Sequence, residues 1–183
     1  MKLYDSKMAP NPRRVRIFLA EKGVEIPSVQ VDLGKAETRQ PAFLAKNPLG
    51  GVPVLELDDG TPIAESVAIC RYVEEQHPAP PLFGTDAKDR ALVEMWQRRA
   101  ENEVFRNVTG CFQNTHAFFA GRIEQVPAYG EVCRKTARAR LAWRTPLPTD
   151  RSRGRLALRV PVASRHEGST GLLAAGPAME DLS

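Results

Sequence analysis

Asp58-Asp59-Gly60 stands between two short apolar, β-prone runs, and shortly after it an acid and a hydroxyl, Glu65-Ser66, open a helical pattern. Asp-Gly between such runs is a strong local hairpin signal. Glu65-Ser66 precedes Val67, Ile69, Cys70 and Val73 at helical spacing, where a cap belongs. A proline, Pro53, sits at the mouth of the first strand. A hairpin that runs straight into a helix start fits a structural purpose and a ligand-binding one.

The chain before the hairpin completes a small α/β pattern. "KLY" reads as a short strand, and "PNPRRVRIFLAEKG" as a helix with Val15, Phe18, Leu19 and Lys22 at helical spacing and Gly23 as its stop. "SVQVDL" alternates as a strand, which makes a βαβ unit with two parallel strands. "RQPAFLAKNP" is a short helical or irregular crossover, and "SVAICRYVEEQ" is a helix ending before His77-Pro78. The expected order over residues 1–77 is β-α-β-α-β-β-α.

Residues 78–85, "HPAPPLFG" and its edge, read as a proline-rich linker. Over 86–143 the expectation is all-α. A long helix follows the Thr85-Asp86 cap, with Leu92, Trp96, Ala100, Val104, Val108, Cys111 and Phe112 along one stripe, and a second spans roughly 128–143. From 144 to 183 the character changes: six Arg, no Lys and no aromatic residue follow a stretch holding all seven Lys. Pro and Gly interrupt that tail every few residues, so it cannot bury enough apolar surface to offset the entropy of ordering. It is expected to be of low order; a reading-frame shift and a natural tail both account for it.

Composition narrows the function classes. Hydrophobic residues make up 42% of the 183, enough for a core, and the net charge of +4 comes from scattered basic residues, which argues against a nucleic-acid partner. No run approaches a membrane span, and "MKLYDSKMAP" lacks the apolar core of a signal peptide. The three cysteines, Cys70, Cys111 and Cys133, are widely spaced without C-x-x-C, as reduced thiols in a cytoplasmic protein would be, and no zinc site is expected.

"NPLGGVPVLELDDGTPIAESVAICRYVEE", with Pro53 before a hairpin strand and Glu65-Ser66 opening the next helix, resembles the thioredoxin-like domain of glutathione transferases. "APNPRRVRIFLAEKG" is similar to the bacterial and fungal subgroup whose first helix lacks the usual catalytic Tyr, Ser or Cys. The match covers residues 1 to about 143. It implies a cytoplasmic homodimer that binds glutathione as co-substrate, needs no metal, and conjugates glutathione to small electrophiles in detoxification.

The resemblance also implies site residues. Val52-Pro53 would be a cis peptide, turning the Val52 backbone N–H and C=O outward to pair with the cysteinyl backbone of glutathione; Val-Pro alone also reads as a trans proline protecting an edge strand. Glu65 suits the γ-glutamyl ammonium. Ser66, at a helix N-terminus, suits the neighbouring carboxylate, and a plain N-cap is the other reading. For the glycine carboxylate Arg39, Gln40 and Lys46 are candidates, against ordinary solvated surface. Gly50-Gly51 stand where some relatives supply a side-chain contact.

Conjugation needs the thiolate. Lowering a thiol pKa from about 8.5 by about 2 requires about 2.7 kcal/mol. One hydrogen bond to a charged acceptor offers about 1.5–3 kcal/mol, and a helix N-terminus about 0.3–1. In the turn where the family places its thiol-facing residue, Asn11 matches by position and its side-chain NH2 is a donor; a helix cap is its other reading. Ala9 falls where other classes keep a hydroxyl. Tyr4 reads better as a packed strand residue and Ser6 as a turn residue. Asn114, Thr115 and His116 lie where some of the subgroup hold a thiol-activating water, which His116 could orient; an exposed surface histidine is the alternative.

The departure is the end of the chain. The resemblance implies further helices past Trp143, one behind a Ser/Thr-x-x-Asp cap, and no such pattern follows. Leu92, Trp96, Phe112, Phe118 and Leu141 are therefore expected to lack cover worth about 1.5–3 kcal/mol each. Two other functions fit: a disulfide reductase in which glutathione carries the redox chemistry, and a truncated, non-catalytic glutathione binder.

Overall fold

The computed structural model describes residues 1–142. Trp143 and the tail expected over 144–183 lie outside the described residues.

The first half follows the expected order. Strand β1 (Lys2–Asp5), helix α1 (Pro10–Lys22) and strand β2 (Ser28–Gln30) form the βαβ unit. A 3-10 turn (Glu37–Arg39) and the one-turn α2 (Pro41–Leu44) make the crossover. Then come β3 (Val54–Glu56), β4 (Pro62–Ala64) and α3 (Ser66–Gln76). The sheet order is β2-β1-β3-β4, with β1 and β2 parallel and the other two pairings antiparallel. This is the thioredoxin-like arrangement. Strand β2 is shorter than "SVQVDL" suggested. Past Val31, whose N–H still reaches the Asp5 carbonyl at 2.7 Å, the Asp32 carboxylate accepts from the N–H groups of Gly34 and Lys35 and turns the chain away.

Alternation along the strands divides the core between the two sheet faces. Tyr4 and Val54 point to one face, where they pack with Val31, Phe43 and Val52. Leu3, Asp5 and Leu55 point to the other. Arg16 of α1 pairs with the buried Asp5 there, and Val15, Ile69, Cys70 and Val73 of α1 and α3 are buried. Each such aliphatic side chain contributes about 1.5–3 kcal/mol on burial.

The linker is fastened by a buried ion pair. The ammonium of Lys22, at the end of α1, has no exposure and meets Glu74 of α3 at 2.5 Å, the His77 carbonyl at 2.7 Å and the Pro80 carbonyl at 2.5 Å. The other Glu74 oxygen accepts from the N–H groups of Leu82 and Phe83.

Asp86 then caps α4 (Ala87–Arg99), accepting from the Asp89 N–H at 2.9 Å. The helix does not run on as one regular rod. Ala100–Phe105 winds as a π-helix before α5 (Arg106–Thr115), so the stripe drawn at constant α period slips by part of a turn. A 3-10 turn (Ala117–Phe119) leads to α6 (Pro127–Leu141), which packs on α5. No residue of α4 or α5 is buried, and Leu92, Phe112, Phe118 and Leu141 are exposed while Trp96 is half-buried.

Candidate functional site

The mouth of α3 brings together the most chemistry. Glu65 occupies the cap position at φ 67°, ψ 118°, a left-handed φ that a non-glycine residue adopts at a cost of about 1–3 kcal/mol. Such strain concentrates where a side chain must be held in one direction. Glu65 is exposed and its side chain makes no capping bond. Ser66, in contrast, is buried with 5% exposure. It does not cap the helix either, since it is the first helical residue. Its Oγ instead accepts from Arg14 Nη1 of α1 at 2.7 Å. Arg14 also lies over the Phe105 ring of the π stretch, 5.6 Å from its centroid.

A cleft of about 360 Å³ opens beside this pair, walled by Glu65, Ser66 and Arg71 of α3 and by Gln97, Arg98 and Glu101 of the long helix. Gln97 donates to Glu101 at 2.7 Å, and Arg71 and Arg98 both pair with Glu94. A second cleft of about 380 Å³ is walled by Asn102, Phe105, Arg106, Thr109, Gln113 and Tyr129 and shares Glu101 with the first. The π stretch supplies Glu101, Asn102 and Phe105, so the irregular winding sits where the two clefts meet.

The Val52–Pro53 peptide is cis. Val52 is half-buried against the Val31, Phe43 and Val54 cluster, and its backbone N–H and C=O find no hydrogen-bond partner among the described residues. Asn11 lies in the first turn of α1, half-buried, its side chain without a hydrogen bond among the described residues. It is not the cap: Ala9 holds that position because Pro10 already begins the helix.

The other sequence candidates are placed differently. Arg39 is exposed and donates to the Leu49 carbonyl at 3.3 Å; Gln40 is exposed at the start of α2. Lys46 is committed elsewhere. It pairs with Glu56, which also takes Lys2 at 2.9 Å and the Tyr4 hydroxyl at 3.0 Å. Lys2 foremost, then Lys46, hold the Glu56 carboxyl down to about 2. Gly50 must be glycine: at φ 62° an added Cβ would lie 2.9 Å from the Thr38 carbonyl oxygen.

His116 ends α5, exposed, with Nδ1 accepting from the Phe118 N–H at 3.1 Å and the ring against Phe112. It lines neither cleft. Asn114 is tied to the Gly110 carbonyl and the Val126 N–H, and the Thr115 hydroxyl to the Cys111 carbonyl. Burial pushes the Cys70 thiol up to about 12, with Glu74 adding to the effect and Arg14 opposing it. No cluster among the described residues could hold a metal ion, and none of the described helices is long and apolar enough to cross a membrane.

Arg14 is the residue that sequence reasoning passed over. Its signal was faint: of the two arginines before Val15, Arg14 shares a helical face with Phe18, while Arg13 points to solvent.

Residues 1–75 match the family model of the glutathione S-transferase N-terminal domain. The chain is 43% identical over 116 residues to Glutathione S-transferase 2 of Saccharomyces cerevisiae, a match covering 62% of this chain and 50% of the relative. A glutathione S-transferase domain-containing protein of Marinobacter aquaeolei superposes with a TM-score of 0.75 at 40% identity, over 78% of this chain and 72% of the other. Gtt2 of Saccharomyces cerevisiae superposes with a TM-score of 0.73 at 38% identity, over 77% and 70%. The chain spans about half the length of the curated relatives it matches.

Proposed function

The chain belongs to the glutathione transferase family, and we propose that it binds glutathione as the thiolate and adds it to small electrophiles. The observation that carries this reading is the α3 mouth: an exposed carboxylate, Glu65, locked at positive φ beside a buried hydroxyl, Ser66, at a helix N-terminus. That pair presents an acid to an ammonium and a donor with partial positive charge to a carboxylate, the two groups at the γ-glutamyl end of glutathione. The open backbone groups of Val52 accept the cysteinyl backbone as an added strand would.

Activation of the thiol rests on Asn11. Its amide N–H donates to the sulfur, and the N-terminus of α1 adds its field; together these offer about 2–4 kcal/mol, against about 2.7 needed. The thiol proton leaves to solvent, and the thiolate sulfur forms the new bond as the electrophile releases its leaving group. His116 stands outside this scheme because it lines neither cleft. With Lys46 held by Glu56, the glycine carboxylate falls to Arg39 and Gln40. The working form in this reading is a cytoplasmic homodimer, favoured by the apolar side chains open on α4, α5 and α6.

The test is retention on glutathione resin together with conjugation of an aromatic halide. The Glu65→Ala/Ser66→Ala variant is expected to lose both; binding equal to the parent sinks the site assignment. Reduction of a small disulfide without conjugation would instead favour the reductase reading, and binding without either reaction the non-catalytic one.

A further inference from the structure

Between the end of β2 and the start of α2, residues 32–40 form a loop that is stitched to itself. Asp32 Oδ1 accepts from the N–H groups of Gly34 at 2.8 Å and Lys35 at 3.1 Å, and the Asp32 N–H donates to Glu37 Oε2 at 2.7 Å. The N–H groups of Ala36, Glu37, Arg39 and Gln40 donate to the carbonyls of Leu33, Asp32, Ala36 and Glu37 in turn. Ala36 sits at φ 55°, a left-handed value that a non-glycine residue keeps only where surrounding bonds hold it. A loop closed on itself in this way shifts as one piece instead of fraying. It has little to rest on: Thr38 is buried, Leu33 is half-buried, and the other residues of 32–40 are exposed.

One side chain of the helical half fastens it. Arg122, just past the 3-10 turn that follows α5, donates from Nη1 to the Leu33 carbonyl at 3.1 Å and from Nη2 to the Gly34 carbonyl at 3.3 Å. Among the described residues, these two hydrogen bonds are the ones that join the helical half to 32–40. A planar guanidinium fixes both prongs in one plane, which a lysine cannot do. The guanidinium also lies over the Phe118 ring, 4.3 Å from its centroid. That ring packs edge-on against Phe119, which meets Phe112 the same way, and the Phe118 N–H is held by His116 Nδ1. Arg122 is thus aimed at the loop from a packed aromatic cluster.

On the glutathione reading above, we propose that Arg122 is a positioning residue for the glycine end of glutathione, acting through the Leu33 and Gly34 carbonyls to hold the 32–40 loop, and with it Arg39 and Gln40, in place. That loop carries both side chains to which the reading gives the glycine carboxylate. Arg39 is bounded on its other side by its own bond to the Leu49 carbonyl at 3.3 Å. Releasing the strap therefore displaces Arg39 and Gln40 together, while Glu65 and Ser66, on another element, keep their geometry.

Hydrogen exchange and calorimetric titration of the full chain test this together. In Arg122→Ala the amides of 33–40 are expected to exchange about tenfold faster, with those of β1 and β3 unchanged. The same variant is expected to weaken glutathione about threefold to tenfold, and γ-glutamylcysteine, which lacks the glycine, by less than about twofold. Arg122→Lys keeps the charge without the fork and is expected to behave like Arg122→Ala. Equal weakening of both ligands overturns the inference, since a general loss of structure acts on both. Unchanged exchange at 33–40, or parental binding of glutathione by Arg122→Ala, overturns it as well. So does full recovery in Arg122→Lys, which would make charge, and not the grip on two carbonyls, the cause. All of these results leave the glutathione reading standing. A parent chain that binds neither ligand overturns both.

Discussion

Replacing Lys22 by methionine keeps a long stem but deletes an ammonium that has no solvent exposure. It donates to the carbonyls of His77 and Pro80 at 2.7 and 2.5 Å and forms an ion pair with Glu74 Oε2 at 2.5 Å. In Lys22→Met the Glu74 carboxylate, only 11% exposed, keeps its bonds from Leu82 and Phe83 but loses its counter-charge. Removing one partner of a buried pair costs about 3–5 kcal/mol, since the remaining charge is uncompensated. A domain of this kind holds about 5–15 kcal/mol in all, so the midpoint of urea unfolding should fall severely. Glu74→Leu alone strands the ammonium and should be comparably harmful. The double variant Lys22→Met/Glu74→Leu leaves no buried charge, and is expected to lose at least about 2 kcal/mol less than the sum of the single losses. Urea titrations of the four proteins close the cycle. The reasoning fails if Lys22→Met stays within about 1 kcal/mol of the parent, or if the single losses simply add. The pair also fixes residues 77–83, so proteolysis of the linker should quicken in Lys22→Met.

Three further outcomes follow from particular contacts. Gly130→Ala would put a Cβ 2.6 Å from Thr115 Cγ2 and 3.1 Å from Asn114 Cβ, prying α6 from α5; a loss of about 1–3 kcal/mol is expected in thermal unfolding, and an unchanged midpoint would show that the helices are not in close contact there. With its thiol pushed up to about 12 by burial, Cys70 should resist alkylation at pH 8 in the folded protein while the half-buried Cys111 reacts, read by peptide mass spectrometry; rapid labelling of Cys70 would contradict its placement. Glu56, held down to about 2, contributes stability that is fully present above the ordinary carboxylate value and is lost as pH falls toward 2. The stability gap between the parent and Glu56→Gln should therefore be wide at pH 6 and close near pH 2; a constant gap would mean that the Lys2–Glu56–Lys46 cluster makes no charge-dependent contribution.

How far the sequence could be read depended on how local each feature is. The hairpin, α1 and the start of α3 were legible because Asp-Gly, the helical spacing of Val15, Phe18 and Leu19, and Glu65-Ser66 each act within a few residues. The π stretch was not, because Ala100 to Phe105 has the composition of any helix and only the contacts around Glu101 and Phe105 mark the slip. Lys46 misled for a different reason. Nothing within its own segment shows that sheet register will set Glu56 opposite Lys2 and within reach of Lys46, which draws that ammonium to a carboxylate already in the chain.

The α3 mouth shows the same division inside one site. Glu65 and Ser66 are neighbours in sequence, so an acid and a hydroxyl at a helix start could be read together and matched to an ammonium and a carboxylate. Their third member stands 52 residues upstream, and only the packing of α1 on α3 carries the Arg14 guanidinium to the Ser66 Oγ. The mouth therefore holds an acid, a hydroxyl and a guanidinium drawn from two helices, and only the first two could be read as neighbours.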